Sequence, residues 1–210
     1  MTVRKGVDWG ERRPVPAGLR QVPDDAALHE WVCGHREQRV PIGDVVIAGG
    51  DLARTLGRAV SRGGAIAIET GADATYAALD VVRVVADEVR TTWCAAHVVA
   101  RRSWWSGEVV LAMNAEYLGD LDVAPRSHPS DGRVDVVTVD PAMAWRTRRQ
   151  ARARARTGAH LPHPQLHVVR TAATAVTFRR QLTVWVDGVR WCQASQLELT
   201  VEPDAYHAYV

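Results

Sequence analysis

Apolar positions recur at helical spacing only near the start of the chain; from about residue 65 they alternate. After an extended lead-in over residues 1–22, Pro23-Asp24-Asp25 caps a short helix. Its apolar stripe is Ala26, Ala27, Trp31 and Val32, and Pro41 breaks it. Residues 45–48 form a continuous apolar run bounded by glycine, the pattern of a buried strand, and residues 52–57 form a second short helix closed by glycine. The period then turns to two over residues 65–69, 79–86 and 91–101, the last two joined as a hairpin through Asp87-Glu88. Trp104-Trp105-Ser106-Gly107 makes the next turn, the two indoles reading as a lid over a core edge. Strands at 109–113 and 134–139 flank a long shaped loop. Asp140-Pro141 opens a helix running to about Thr157 and ended by Gly158. Short strands follow at 167–170, 175–178, 182–186 with 190–192 across an Asp187-Gly188 turn, 197–201 and 206–210. These elements predict a mostly β (α+β) fold. A sandwich-like domain with one long inserted helix occupies residues 65–210, preceded by a small α/β remnant over residues 1–64.

Composition changes this picture little. At 210 residues with 47% hydrophobic content the chain can bury a real core. A formal charge of +2 implies no global field for nucleic acid. Cys33, Cys94 and Cys192 form neither a CxxC pair nor a disulfide framework, which suits a reducing compartment. With no apolar leader and no span of membrane length, the expected location is the cytoplasm.

Candidate chemistry concentrates in four places. The loop between the strands at 109–113 and 134–139 carries Asp120, Asp122, Arg126, His128, Asp131 and Asp135, groups able to organise a cation or a phosphate. Gly49-Gly50-Asp51 joins a buried strand to a helix, where backbone N–H groups can face a phosphate or simply make a capped turn. Arg148, Arg152 and Arg156 share one side of the long helix, either as a solvated face or as a patch for anionic headgroups. His160, His163 and His167 are separated by two prolines, so their rings diverge and a zinc site is the weaker reading.

Several of these motifs stand in a fixed order: Asn114 with Gly119, Ala124-Pro125, Asp131-Gly132 with Asp135-Val136-Val137, Gly158-Ala159-His160, Asp187-Gly188, and Val201-Glu202-Pro203-Asp204-Ala205. In that order they resemble the C-terminal domain of the diacylglycerol kinase and sphingosine kinase family, from roughly residue 48 to the end. The resemblance implies Asp187 as the general base toward a lipid hydroxyl, with Val189 where the family has a second carboxylate. It implies magnesium near Asp131 and Asp135, and ATP at Gly49, Gly50 and Asp51. That last stretch aligns either with the family's GGDGT loop or, over more positions, with its later GTxNDFARxLG segment. In both alignments the Gly-Thr pair is missing, and the N-terminal nucleotide-binding domain is largely missing too. The resemblance therefore implies a diacylglycerol-kinase-like protein that binds a lipid or phosphate ligand and is catalytically degenerate. The alternative is a compact ATP-dependent lipid kinase. Implied partners are a lipid or anionic membrane surface, and a separate nucleotide-binding chain or a second copy.

Overall fold

The computed structural model describes residues 9–58 and 65–210. The first part of the expected lead-in and the boundary at residue 64 lie outside these residues. The strands are β1 (Glu11–Pro14), β2 (Gln21–Val22), β3 (Val45–Ile47), β4 (Asp73–Ala86), β5 (Arg90–Cys94), β6 (His97–Arg101), β7 (Val109–Met113), β8 (Tyr117–Leu118), β9 (Leu121–Asp122), β10 (Val134–Val139), β11 (Leu166–Thr171), β12 (Ala173–Val186) and β13 (Val189–Tyr209). The helices are α1 (Asp25–Glu37), α2 (Gly50–Thr55) and α3 (Trp145–Ala155). Antiparallel pairing dominates, in the order β1-β4-β13-β12-β6-β7-β10-β11.

The sheet curls over one core because its long strands alternate strictly. Val82 and Val84 of β4, Val98 and Ala100 of β6, Val110 and Ala112 of β7, Val134 and Val136 of β10, Val184 and Val186 of β12, and Leu197 and Leu199 of β13 meet in a single cluster. Residues from strands far apart in sheet order can touch only if the sheet folds back on itself, which is the sandwich. Intervening residues Val99, Val109, Leu111, Met113 and Val137 point the other way, against Ala155 of α3 and Leu121, Val123 and Ala124 of the central loop.

The N-terminal elements continue this sheet. β3 runs parallel to the end of β13, with β2 beside it. Leu28 and Val32 of α1 and Leu52 and Ala53 of α2 pack against Leu79 and Val81 of β4 and Tyr206 and Ala208 of β13. Residues 65–69, expected as a strand, form none; Gln21 pins Ile68 instead, its amide donating to the Ile68 carbonyl (2.7 Å) and accepting from its N–H (3.1 Å). The expected strand over 91–101 breaks at Ala95-Ala96 into β5 and β6, and that corner builds the polar centre. The helix expected from Asp140 begins only at Trp145.

Candidate functional site

Three elements converge on the corner between β5 and β6: α1, the α2 N-terminus, and the β12–β13 hairpin. The hairpin turn is Asp187-Gly188, with φ of 49° and 84°. Two positive φ values suit the right-handed twist of the flanking strands, and Asp and Gly tolerate them. A hairpin tip is usually wet, yet Asp187 is only 2% exposed. Its carboxylate accepts the N–H groups of Ala95 (2.8 Å), Ala96 (2.8 Å) and His97 (2.9 Å), and the Cys94 thiol donates to it at 3.4 Å. His29 Nδ1 lies 3.5 Å from its other oxygen. Burial alone raises a carboxyl, but His29, His97 and the backbone donors outweigh it and hold Asp187 below its ordinary value. A general base must reach a substrate proton and want it. Asp187 is sealed in and saturated, so it anchors the corner.

A second carboxylate does the same at α2. Asp24, not Asp25, caps α1, accepting the Ala27 N–H at 2.8 Å. Asp25 turns inward and accepts from Asp51 N (2.6 Å) and Leu52 N (3.1 Å). Those are the N–H groups that a phosphate at Gly49-Gly50-Asp51 would need. Gly50 has φ +96°, and a Cβ there would meet Asp25 Oδ1 at 2.5 Å; one at Gly49 would meet the Pro23 carbonyl at 2.5 Å. The glycine space is filled by the chain itself, so the turn does not fit a nucleotide phosphate.

Asp51 completes the network. Its carboxylate accepts from Gly119 N (2.8 Å) and pairs with His97 Nε2 (3.1 Å). Burial raises Asp51, but His97 and the Gly119 N–H prevail and lower it; burial lowers His97, but Asp51 and then the other carboxylates prevail and raise it. Burial pushes Asp25 up to about 7, against the pull of His97. Among the described residues, Asp25, Asp51 and His97 are the three metal-ligand types whose donor atoms lie within 4.8 Å of one another. Both Asp25 oxygens accept α2 N–H groups and Asp51 Oδ2 meets Gly119 and His97, while His97 Nδ1 is buried without a hydrogen-bond partner.

Asp131 and Asp135 lie elsewhere. Asp131 pairs with Arg170 and accepts the Arg133 N–H (2.9 Å). Burial raises the Asp135 carboxyl, with Arg170 opposing. The loop is tied down by Asp80, which takes the N–H groups of Gly132 (2.7 Å) and Asp204 (2.9 Å). An arginine already sits where a cation would balance Asp131, so these residues do not fit a magnesium ion.

The arginine patch is corrected by the structure. Arg148 is 5% exposed, and its guanidinium donates to the carbonyls of Met143 (2.9 Å), Asp140 (3.0 Å), Trp104 (3.5 Å) and Gly107. A planar five-donor fork can satisfy a ring of carbonyls that no other side chain reaches, so Arg148 fastens α3 and does not face a membrane. Arg156 pairs with Asp120 at 2.9 Å on the surface. Arg152 lines a recess together with Arg148, and its guanidinium lies 5.9 Å from the Trp104 ring centroid.

That recess lies between α3 and the outer face of the sheet. Val109, Leu111, Val137, Val139, Met143, Ala151 and Ala155 line it beneath Trp104 and Trp105. Its cavity volume is about 90 Å³. Arg101 stacks on Trp104 of its wall and on Trp185, 4.4 Å from each centroid. Burial, and then Arg152, lower the Arg101 guanidinium. His160, 7% exposed, closes the far end with Nε2 3.1 Å from the Val123 carbonyl; His163 accepts the Gln165 N–H, and the three histidines form no cluster.

Sequence reasoning missed Asp25, His29, Cys33 and His97 as site residues. Three of them were legible: Asp25, His29 and Cys33 stand four apart on α1, beside the buried stripe of Leu28 and Val32. A titratable row on a helix flank that faces the fold marks a polar centre. His97 sits in an apolar run and gave no such signal.

The fold is a curled antiparallel sandwich, with an Asp-Gly hairpin tip buried among polar groups and an apolar recess under a helix. Residues 65–209 match the family model of the YegS C-terminal NAD kinase beta sandwich-like domain, and the chain belongs to that family. Solved structures agree on the fold. A candidate diacylglycerol kinase from Bacillus anthracis str. Sterne superposes with a TM-score of 0.61 at 11% identity, covering 89% of this chain and 75% of that one. A second structure, described as a diacylglycerol kinase from the same organism, gives 0.58 at 12% identity, with coverage of 89% and 74%. Among curated proteins, none matches the chain.

Proposed function

We propose that this chain is a lipid-binding, non-phosphorylating member of the diacylglycerol-kinase-like group. The observation that carries the reading is the apolar recess under α3, lined by Arg148 and Arg152 beside Trp104. Its apolar lining suits an alkyl chain, and the two guanidinium groups within it favour an anionic headgroup. Phosphoryl transfer is positioning and charge neutralisation around a nucleotide. Here Asp25 occupies the N–H groups of the Gly49-Gly50-Asp51 turn, and Asp187 is spent on the corner N–H groups. Both facts support binding over catalysis.

The test is quenching of Trp104 and Trp105 fluorescence by a doxyl-labelled fatty acid, and by the same chain carried as its neutral ester. Saturable quenching favouring the acid is expected, with Ala151→Trp, which fills the recess, weakening it at least tenfold. Quenching indifferent to Ala151→Trp would refute the recess. Transfer of labelled phosphate from Mg-ATP to diacylglycerol, lost in Asp187→Asn, would refute the non-phosphorylating assignment.

A further inference from the structure

We propose that Cys33 is a thiol-exchange site, a half-buried nucleophile backed by His29 and Asp187 that takes a sulfur from a small-molecule disulfide. The three residues form a nucleophile, a charged ring and an orienting carboxylate, the arrangement that activates a cysteine. Cys33 Sγ lies 3.8 Å from each His29 ring nitrogen, so the ring faces the sulfur between its two nitrogens. Thr92 Oγ1 is 3.4 Å from the sulfur and the Trp93 carbonyl 3.8 Å. His29 Nδ1 also meets the Trp93 carbonyl at 2.9 Å and Asp187 at 3.5 Å. The helix makes the first contact, since residues four apart stack on one face; the hairpin makes the second by delivering Asp187.

The charges agree with the geometry. Burial opposes the imidazolium, but Asp187 and Cys33 raise His29 to about 10, so it is cationic at neutral pH. Burial raises the Cys33 thiol, but the contacts with His29 and Thr92 prevail and lower it. Other groups around the pair are accounted for: Arg36 of α1 pairs with Glu202 of β13, which also accepts from Trp93 Nε1 at 3.1 Å, and the Cys94 thiol donates to Asp187. The remaining thiols contrast with Cys33. Cys94 and Cys192 are buried, and burial pushes both up. A thiolate that is partly exposed beside a cation is the reactive kind.

In the exchange the Cys33 thiolate attacks one sulfur of a disulfide R–S–S–R. A bond forms between Cys33 Sγ and that sulfur, the original S–S bond breaks, and the second sulfur leaves as a thiolate that takes a proton from water. The disulfide is the only oxidant needed. The adduct would grow between α1 and β5, against the His29–Asp187 contact, so modification would loosen α1. This site shares no residue with the recess under α3.

The experiment is alkylation of the full chain by iodoacetamide at pH 6.5 and 8.5, read by mass spectrometry at each cysteine peptide, folded and in urea. An ordinary thiol loses about tenfold in rate per pH unit below its pKa. The ratio of the two rates cancels access, so the unfolded chain calibrates Cys33 itself. The folded ratio at Cys33, pH 6.5 over pH 8.5, is expected to exceed the unfolded one at least fivefold, and His29→Gln to return it to the unfolded value. Oxidised glutathione at pH 6.5 should then form a mixed disulfide at Cys33 and not at Cys94 or Cys192. Equal ratios folded and unfolded, or no Cys33 adduct in the folded chain, would overturn the proposal. Should His29→Gln fail to fold, the wild-type ratio decides alone.

Discussion

Replacing Asp187 by Asn separates an anchoring carboxylate from a poised base. The carboxylate offers two acceptor oxygens to three backbone N–H groups and faces the His29 ring. Asn keeps one oxygen, and its NH2 must confront at least one donor head-on. A hydrogen bond to a charged group is worth about 1.5–3 kcal/mol, and removing one partner of a buried ion pair costs about 3–5 kcal/mol. These overlap, so the expected loss is ~4 kcal/mol, or ~8–16 °C in melting temperature for a chain of this size. The pH profile gives a second readout. Asp187 is held below its unfolded value, so its contribution is present above about pH 4 and lost as pH falls further. His29 is raised to about 10, so its contribution is complete below about pH 6.5 and lost as pH rises toward 10. The penalty of Asp187→Asn should therefore be greatest between those limits and shrink on the alkaline side. Urea unfolding at pH 5.5, 7.5 and 9.5 measures it. A loss under ~1 kcal/mol with an unchanged pH profile would mean that Asp187 is not the anchor.

Three further outcomes follow from the same geometry. Asp25 titrates at about 7 when folded and near 4 when unfolded, so the folded state holds a proton longer and stability falls as pH rises through that window; Asp25→Asn should flatten this slope in urea titrations, and an unchanged slope would remove Asp25 as its source. Gly50→Ala forces a Cβ into the Asp25 carboxylate at φ +96° and should cost ~2–4 kcal/mol, whereas Gly57→Ala, with open space, should cost only the ~1 kcal/mol of its positive φ; equal melting temperatures would refute the crowding. Arg148→Met strips the donor from four carbonyls and should cost ~2–4 kcal/mol while weakening fatty-acid quenching, with Arg148→Lys failing to restore either; full retention in the Met variant would return Arg148 to the surface.

The strands of the sandwich were legible in two ways: β12 and β13, buried on one face, write a period of two, while β7, buried on both faces, reads as a continuous apolar run. The Asp187-Gly188 turn followed from residues that tolerate positive φ. What the sequence could not show is which polar groups the fold turns inward. The family resemblance implies Asp187 as a base, and a hairpin tip is normally wet enough to serve; only the corner at Ala95-Ala96, which looked like the middle of one strand, explains why it is dry. Arg148, Arg152 and Arg156 read as one patch because helical spacing treats equal angles as equal fates. The chain before α3 supplies Arg148 with four carbonyls, the loop at Asp120 takes Arg156, and Arg152 lines the recess next to Arg148 without such partners of its own. Gly49-Gly50-Asp51 is the sharpest case. Glycine opens a helix N-terminus to any anion, and local sequence cannot say whether that anion arrives in solution or on the chain. Asp25, twenty-six residues earlier and turned inward from the first turn of α1, settles it in favour of the chain. A domain that supplies its own carboxylates to the α2 terminus and to the β5–β6 corner gains a rigid centre from backbone N–H groups that would otherwise be left unpaired. The recess under α3 depends on neither.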